Sequence, residues 1–317
     1  MQKTIRIGTR ESQLAVWQAN LVSTLLASKG YKAELVFIKS DGDIDLKTPL
    51  YEMGVQGIFT RSLDIALLNE SIDIAVHSMK DVPTQLPKGI IQSAILKRAS
   101  YKDILVFKGE LSVIDCQLLI KDSPLTTHHS PFTIATSSIR RKAQWLHRYP
   151  NHTIENLRGN VNTRLKKVAE SNWDGAIFAA AGLERINLRP ANSIDLDWML
   201  PAPAQGAIMV VCREDDTDNF KACQLFNDAE TALCTKLERD FLRALLGGCS
   251  TPISALAEEK NETIYFKGNI VAVDGSTKIE IEKSALLSAS NNLGYIAAKE
   301  ILEKGGQAIV DTINHAK

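Results

Sequence analysis

The sequence predicts an α/β protein of two α/β units followed by a smaller third, and three observations predict it. Short apolar runs alternate with amphipathic stretches over the first hundred residues, the alternation restarts at Ile104, and a proline-containing break with an acidic stretch precedes a third set of elements. The chain has 317 residues, more than one core accommodates, since single hydrophobic cores stop growing near about 250–300 residues.

In the first unit, residues 5–7 read as a strand, and after Ser12 the residues Leu14, Trp17, Leu21 and Leu25 recur at helical spacing. Residues 35–38 make a second strand, and a helix with Phe59, Leu63, Ala66 and Leu67 on one face leads to a buried strand at residues 73–76. In the second unit, strands at residues 104–107, 133–136, near Thr153 and at 176–179 alternate with a helix from Ser138 and another through Leu165. The polar stretch 115–130, broken by Pro124 and followed by Pro131, reads as a surface insertion, with His128 and His129 as surface residues rather than ligands. Pro201 and Pro203 interrupt the chain before an apolar strand at 207–211, and the acidic stretch 214–218 reads as a boundary. The third unit has a helix carrying Leu233, Leu237, Phe241 and Leu245, then Gly247-Gly248-Cys249. Strands follow around Ile253 and at 264–266, 270–273 and 279–281, before a last helix through Ile301.

Apolar residues make up 44% and charged residues 23%, the balance of an ordinary globular protein. Lysine plus arginine and aspartate plus glutamate both number 37, so no net field draws the molecule to nucleic acid or an anionic membrane, and any anion site is local. No apolar run reaches the ~20 residues of a membrane span, and residues 1–8 lack the apolar stretch of a signal peptide, so a cytoplasmic protein is expected. The five cysteines lack a C-x-x-C pair or a histidine at ligand spacing, which predicts reduced thiols and no metal. The phosphate-binding loop, the dinucleotide glycine fingerprint and H-E-x-x-H are absent.

Five segments after predicted strands concentrate chemistry. His77-Ser78-Met79-Lys80-Asp81-Val82-Pro83 follows a buried strand, the place where open α/β sheets bind ligands, although a salt-bridged loop stopped by proline would look the same. Thr136-Ser137-Ser138-Ile139-Arg140-Arg141 sits where a strand passes into a helix, so free backbone N–H groups, hydroxyls and guanidiniums converge on an anion, or the serine merely caps the helix. Arg158 and Arg164, and then Arg185, again follow strands, and Arg10 follows the first strand so as to face the second unit. A cleft lined with guanidiniums suits a ligand with several carboxylates, which the planar fork binds bidentately. Cys249 lies on a glycine-rich turn, as an attachment thiol requires, whereas Cys116, Cys212, Cys223 and Cys234 read as small buried hydrophobes.

The motifs His77-Ser-Met-Lys-Asp-Val-Pro, Thr136-Ser-Ser-Ile-Arg-Arg, Leu157-Arg-Gly-Asn, Gln205-Gly-Ala and Gly247-Gly-Cys, in that order and nearly end to end, resemble the porphobilinogen deaminase family. The resemblance implies two lobes like those of type 2 periplasmic binding proteins plus a small C-terminal α/β domain. It divides the chain into residues 1–99 with 205–222, residues 100–204, and residues 223–317. It implies that four porphobilinogen molecules are condensed, with loss of ammonia, onto a dipyrromethane cofactor held by Cys249 through a thioether, and that hydrolysis releases hydroxymethylbilane. Asp81 would be catalytic, stabilising the cationic azafulvene left as ammonia departs. Ser78, Lys80, Thr136, Ser137, Ser138, Arg140, Arg141, Arg158, Gly159 and Gln205 would bind the cofactor, and Arg10, Ser12, Phe59, Arg158, Arg164 and Arg185 the substrate and growing chain. The implied partner is the small molecule alone, without nucleic acid or membrane, for a monomeric enzyme.

Departures from the family pattern stand at Glu52 and Gln56, where lysines are usual, and at Lys97-Arg98-Ala-Ser-Tyr-Lys-Asp103, which lacks the usual acidic residue and proline after its arginine. They motivate a rival reading as a slow or inactive paralogue. A solute-binding module of the same architecture is the other rival, and it has no use for Gly248-Cys249.

Overall fold

In the computed structural model, residues 3–39, 60–108, 131–245 and 251–315 are described; the expectations for Glu52, Gln56, Phe59, the 115–130 insertion, Gly247, Gly248 and Cys249 lie outside them. The chain begins with β1 (Ile5–Thr9), α1 (Gln13–Ser28), β2 (Ala33–Phe37), α2 (Arg61–Leu68), β3 (Ile74–Ser78) and β4 (Ile90–Ile95). It then crosses to a second lobe of β5 (Asp103–Phe107), β6 (Thr133–Ala135), α3 (Ile139–Arg148), β7 (Thr153–Glu155), α4 (Val161–Glu170), β8 (Gly175–Ala179), α5 (Ala180–Glu184) and β9 (Ser193–Asp195). A second crossing returns it to β10 (Ile208–Arg213) and α6 (Thr217–Gln224).

Among the described residues the two sheets have one design. The first runs β2-β1-β3-β10-β4 and the second β7-β6-β8-β5-β9. In each, the fourth strand is the one reached by crossing from the other lobe, and it alone is antiparallel to its neighbours. Both faces of the first sheet are covered. Ile7, Ile74, Val76 and Val210 pack against α1 residues Ala19, Val22 and Leu26, while Ala75, Met209 and Val211 meet Leu63 and Leu67 of α2. Two-sided burial is why these strands read as unbroken apolar runs.

The third unit consists of α7 (Ala229–Ala244), β11 (Ile253–Lys260), β12 (Thr263–Val271), β13 (Lys278–Leu286), α8 (Leu293–Ile301) and α9 (Gln307–His315), with a π turn at Leu302–Gly306 joining the last two helices. Its antiparallel sheet buries one face on α7 and α8, so β12 alternates buried Ile264 and Phe266 with outward Tyr265 and Lys267.

Several expectations are corrected here. The two strands expected at 264–266 and 270–273 are one, β12; Gly268 lies within it because an added Cβ would sit 2.7 Å from the Phe241 ring. The acidic stretch 214–218 starts a helix: Asp216 accepts the Asn219 N–H at 3.1 Å as the cap of α6 and pairs with Arg213 at 2.8 Å. Strands β4 and β9 and helix α9 had no counterpart in the sequence reading.

Candidate active site at the crossing of two lobes

The two crossing segments are bonded to each other. Ala99 N donates to Gly206 O at 3.1 Å, Leu96 N to Ile208 O at 3.0 Å and Arg98 Nε to Gln205 O at 2.8 Å. Gly206 has φ of +88°, and a Cβ there would lie 2.7 Å from both Ala99 O and Ser100 O. Only glycine lets the backbones approach this closely.

Next to this crossing, β3 ends in a 3-10 turn, Met79–Asp81, that carries two of the expected site residues. Lys80 Nζ donates to Gln205 Oε1 at 3.3 Å, and Gln205 Nε2 donates onward to Tyr101 O at 2.7 Å and Asp103 Oδ1 at 2.9 Å. Asp103, fully buried at the start of β5, also accepts Arg141 Nε at 3.0 Å and Nη2 at 2.7 Å, and its other oxygen lies 2.7 Å from Arg140 Nη2. Arg141 Nη1 donates to Ile177 O at 3.0 Å and Arg140 Nη1 to Leu200 O at 2.8 Å. Asp103 is thus the hub that fixes both arginines. The sequence reading quoted it only as the end of a departing segment; the signal was an acid opening an otherwise apolar strand, since a buried carboxylate needs cations around it.

On the first lobe, a cavity of about 90 Å³ is lined by Arg10, Ser12, Gln18, Thr60, His77, Ser78 and Asp81 among others. Ser12 caps α1, accepting from Ala15 N at 3.4 Å, and Ser78 shares a hydrogen bond with Gln18 at 2.9 Å. On the second lobe, Ser138 caps α3, Thr136 Oγ1 accepts from Ser138 N at 3.2 Å, and Ser137 Oγ donates to Leu157 O at 2.6 Å. Gly159 has φ of +115°, which lets its carbonyl turn to accept Arg164 Nε at 2.7 Å. Arg158 is buried beside them. Arg185 stands nearer the crossing, donating to Gly206 O at 2.6 Å with its guanidinium 5.8 Å from the Trp17 ring centroid.

These placements shift protonation. Burial, reinforced by Arg141, pulls Lys80 down to about 8; burial with Arg141 and Arg158 pulls Arg164 down to about 10. Burial alone would raise Asp103, but Arg140 and Arg141 outweigh it and hold the carboxyl at about 2. Burial and Arg10 lower His77 to about 4, so its ring is neutral at ordinary pH. Lys80, Arg140, Arg141, Arg158 and Arg164 therefore surround two carboxylates, Asp81 and Asp103, a balance that calls for anions from outside.

The family model described as "Porphobilinogen deaminase, dipyromethane cofactor binding domain" matches residues 5–221, and that of the porphobilinogen deaminase C-terminal domain matches residues 232–303. The chain belongs to the porphobilinogen deaminase family. The porphobilinogen deaminase of Syntrophotalea carbinolica is 38% identical over 314 residues, covering 98% of this chain and 96% of its own. The probable porphobilinogen deaminase of Methanocaldococcus jannaschii is 41% identical over 289 residues, covering 88% and 94%. Among solved structures, the methionine-binding protein MetQ aligns with a TM-score of 0.44 at 15% identity, covering 72% of this chain and 92% of that one. A periplasmic domain of Bordetella pertussis BvgS aligns with a TM-score of 0.41 at 13% identity, covering 70% and 85%.

Porphobilinogen deaminases are transferases of tetrapyrrole biosynthesis that use a dipyrromethane cofactor, and the activity implied by the sequence motifs stands. The cleft fits such a cofactor, whose acetate and propionate side chains are anionic. Its cations outnumber its carboxylates, and the buried Arg140 Nε has no hydrogen-bond partner among the described residues. Of the residues that the motifs imply for the cofactor, Lys80, Arg140, Arg141 and Gln205 are joined through Asp103 and Gln205 beside the crossing. Arg10 and Ser12 line the first-lobe cavity together with Ser78 and Asp81.

Proposed function

We propose that Asp81 acts on the reacting atoms of a porphobilinogen deaminase whose cations mainly bind and orient. One observation carries this reading: of the two carboxylates in the cleft, Asp103 already accepts from Arg141 and Gln205, whereas Asp81 lines the open cavity and accepts no hydrogen bond from the described residues. As ammonia leaves the aminomethyl group of porphobilinogen, positive charge develops on the pyrrole, and a nearby carboxylate stabilises that charge in a cleft drier than water. Lys80 and Arg10 from the first lobe, with Arg158 and Arg164 from the second, hold the substrate's carboxylates and keep the pyrrole beside Asp81. When bound, dipyrromethane supplies the free pyrrole carbon on which the chain grows.

Cys249 is assigned as the attachment residue, and the three thiols among the described residues support that choice. Burial raises Cys212 to about 11 and Cys223 and Cys234 to about 12, so none of them offers a thiolate at neutral pH. The elements on either side of the 246–250 segment both contact the segments that frame the cleft. Helix α7 bonds to the main chain around Asp81, and Ala255 N of β11 donates to Pro201 O at 3.2 Å in the second crossing. The reading includes a cytoplasmic monomer, which size-exclusion chromatography and cell fractionation test; no helix of the described residues is long and apolar enough to cross a membrane.

Asp81→Asn should lower turnover on the order of 10²-fold or more while the purified protein keeps its cofactor mass. Near-normal turnover in that variant removes the role given to Asp81.

A further inference from the structure

The turn that carries Asp81 is held from behind by a residue outside the cleft. Arg239 lies on α7 and is 8% exposed. Its Nη1 donates to Val82 O at 2.8 Å and to Met79 O at 3.4 Å, and its Nη2 donates to Pro83 O. The front of the same turn is fixed by Met79 N donating to Ala207 O at 3.0 Å, and it is closed by Val82 N donating to Met79 O at 3.1 Å. One guanidinium therefore reaches three carbonyls of the stretch 79–83, whose middle residue is Asp81. A groove of about 530 Å³ opens beside these contacts, lined by Met79, Leu86, Leu233 and Arg239 among others, so a turn released from Arg239 has room to shift. Helix α7 ends at Ala244, five residues before Cys249, and so joins the turn to the attachment segment.

We propose that Arg239 is a positioning residue for Asp81, setting the catalytic turn in register with the helix that leads to the cofactor-bearing cysteine. The planar fork matters because it directs several donors at once, whereas a lysine offers a single mobile ammonium. Small misplacements of a reacting group cost on the order of 10²-fold in rate, so the effect falls on turnover and not on carboxylate binding. The proposal rests on the roles given above to Asp81 and Cys249.

The test compares Arg239→Gln, Arg239→Lys, Arg243→Gln and Asp81→Asn as holoenzymes. Arg243 is exposed, donates to Thr84 O in the same interface, and serves as the control for loss of an interface contact. Arg239→Gln should keep its cofactor by intact mass and a KM within about twofold, yet lose kcat on the order of 10²-fold. Arg239→Lys should fall between it and the wild type, and Arg243→Gln should keep near-normal kcat. A wild-type kcat in Arg239→Gln, or an equal loss in Arg239→Gln and Arg243→Gln, overturns the proposal. If Arg239→Gln does not fold, Arg239→Lys decides: reduced kcat at unchanged KM and Tm supports positioning, and wild-type kcat overturns it. An active Asp81→Asn would instead sink the reading of Asp81, which separates the two failures.

Discussion

Lys80 gives the cleft a pH dependence that its guanidiniums do not share. Burial and Arg141 lower its pKa to about 8, from the usual value of about 10.5, so in the empty cleft it is cationic below about pH 8 and loses its charge above it. A carboxylate beside it restores the proton. Ligand binding should therefore take up protons above about pH 8, and affinity should fall as pH rises, by at most tenfold per unit. Calorimetry of porphobilinogen binding to cofactor-free Cys249→Ser protein at pH 7, 8 and 9 checks this. Lys80→Arg, which stays charged throughout, should flatten the dependence; superimposable profiles contradict the assignment. At this scale the sequence showed where cations gather but not which of them meet each other. The Arg140-Arg141 pair read as an anion site, and its nearest anion is the chain's own Asp103, thirty-seven residues away along the sequence from Arg140. Nothing local to either segment announces that pairing. Ser138 carried two readings from the start and is seen capping a helix, as is Ser12, which was expected only to bind substrate.

Helix α7 ties the three units together through one carboxylate. Glu238, fully buried, accepts Arg98 Nη1 at 2.6 Å, Ala204 N at 2.6 Å and Ala257 N at 2.8 Å, linking the first crossing, the second crossing and β11. Removing one member of such a set strands the others, at about 3–5 kcal/mol. Glu238→Gln should lower Tm on the order of 10 °C, whereas Glu258→Gln, which weakens a half-exposed pair with Lys260 and a 3.5 Å bond from the Tyr101 hydroxyl, should change it little. Equal shifts in the two variants would contradict the account of Glu238. Gly206→Ala places a methyl against two carbonyls at positive φ and should cost more than about 1 kcal/mol, read by thermal denaturation; a neutral effect would mean that the crossings are not tightly apposed. Element by element, strands with an apolar run or a clean alternation were readable, whereas β4 and β9 were not. In β4 the interruption is Gln92-Ser93, where the buried Ser93 hydroxyl donates to Val210 O at 3.0 Å and the backbone supplies a satisfaction that no local pattern shows. Strand β9 is Ser193-Ile194-Asp195 directly after Pro190-Ala191-Asn192, a composition that reads as loop.

Across the molecule, two lobes of one strand order exchange a strand each, and the functional groups gather where the exchanges cross. That duplication was hidden from the sequence because β4 and β9 completed it, and both were missed. The third unit adds α7, whose contacts reach the turn of Asp81 from the side opposite the cleft. Across the cleft itself, Asn162 Nδ2 donates to Gln13 Oε1 at 2.9 Å, so helices α1 and α4 meet directly. The family motifs named the function from scattered positions, and the fold explains the scatter of the four among the described residues: they stand at the ends of β3, β6 and β7 and at the start of β10. The measurement that bears most directly on the whole account is the intact mass of the purified active protein, followed by peptide mapping. A mass excess equal to one dipyrromethane, located on the peptide containing Cys249 and retained in Asp81→Asn, is the predicted result. Turnover by a protein whose Cys249 is unmodified, or a modification mapped to another residue, would contradict it.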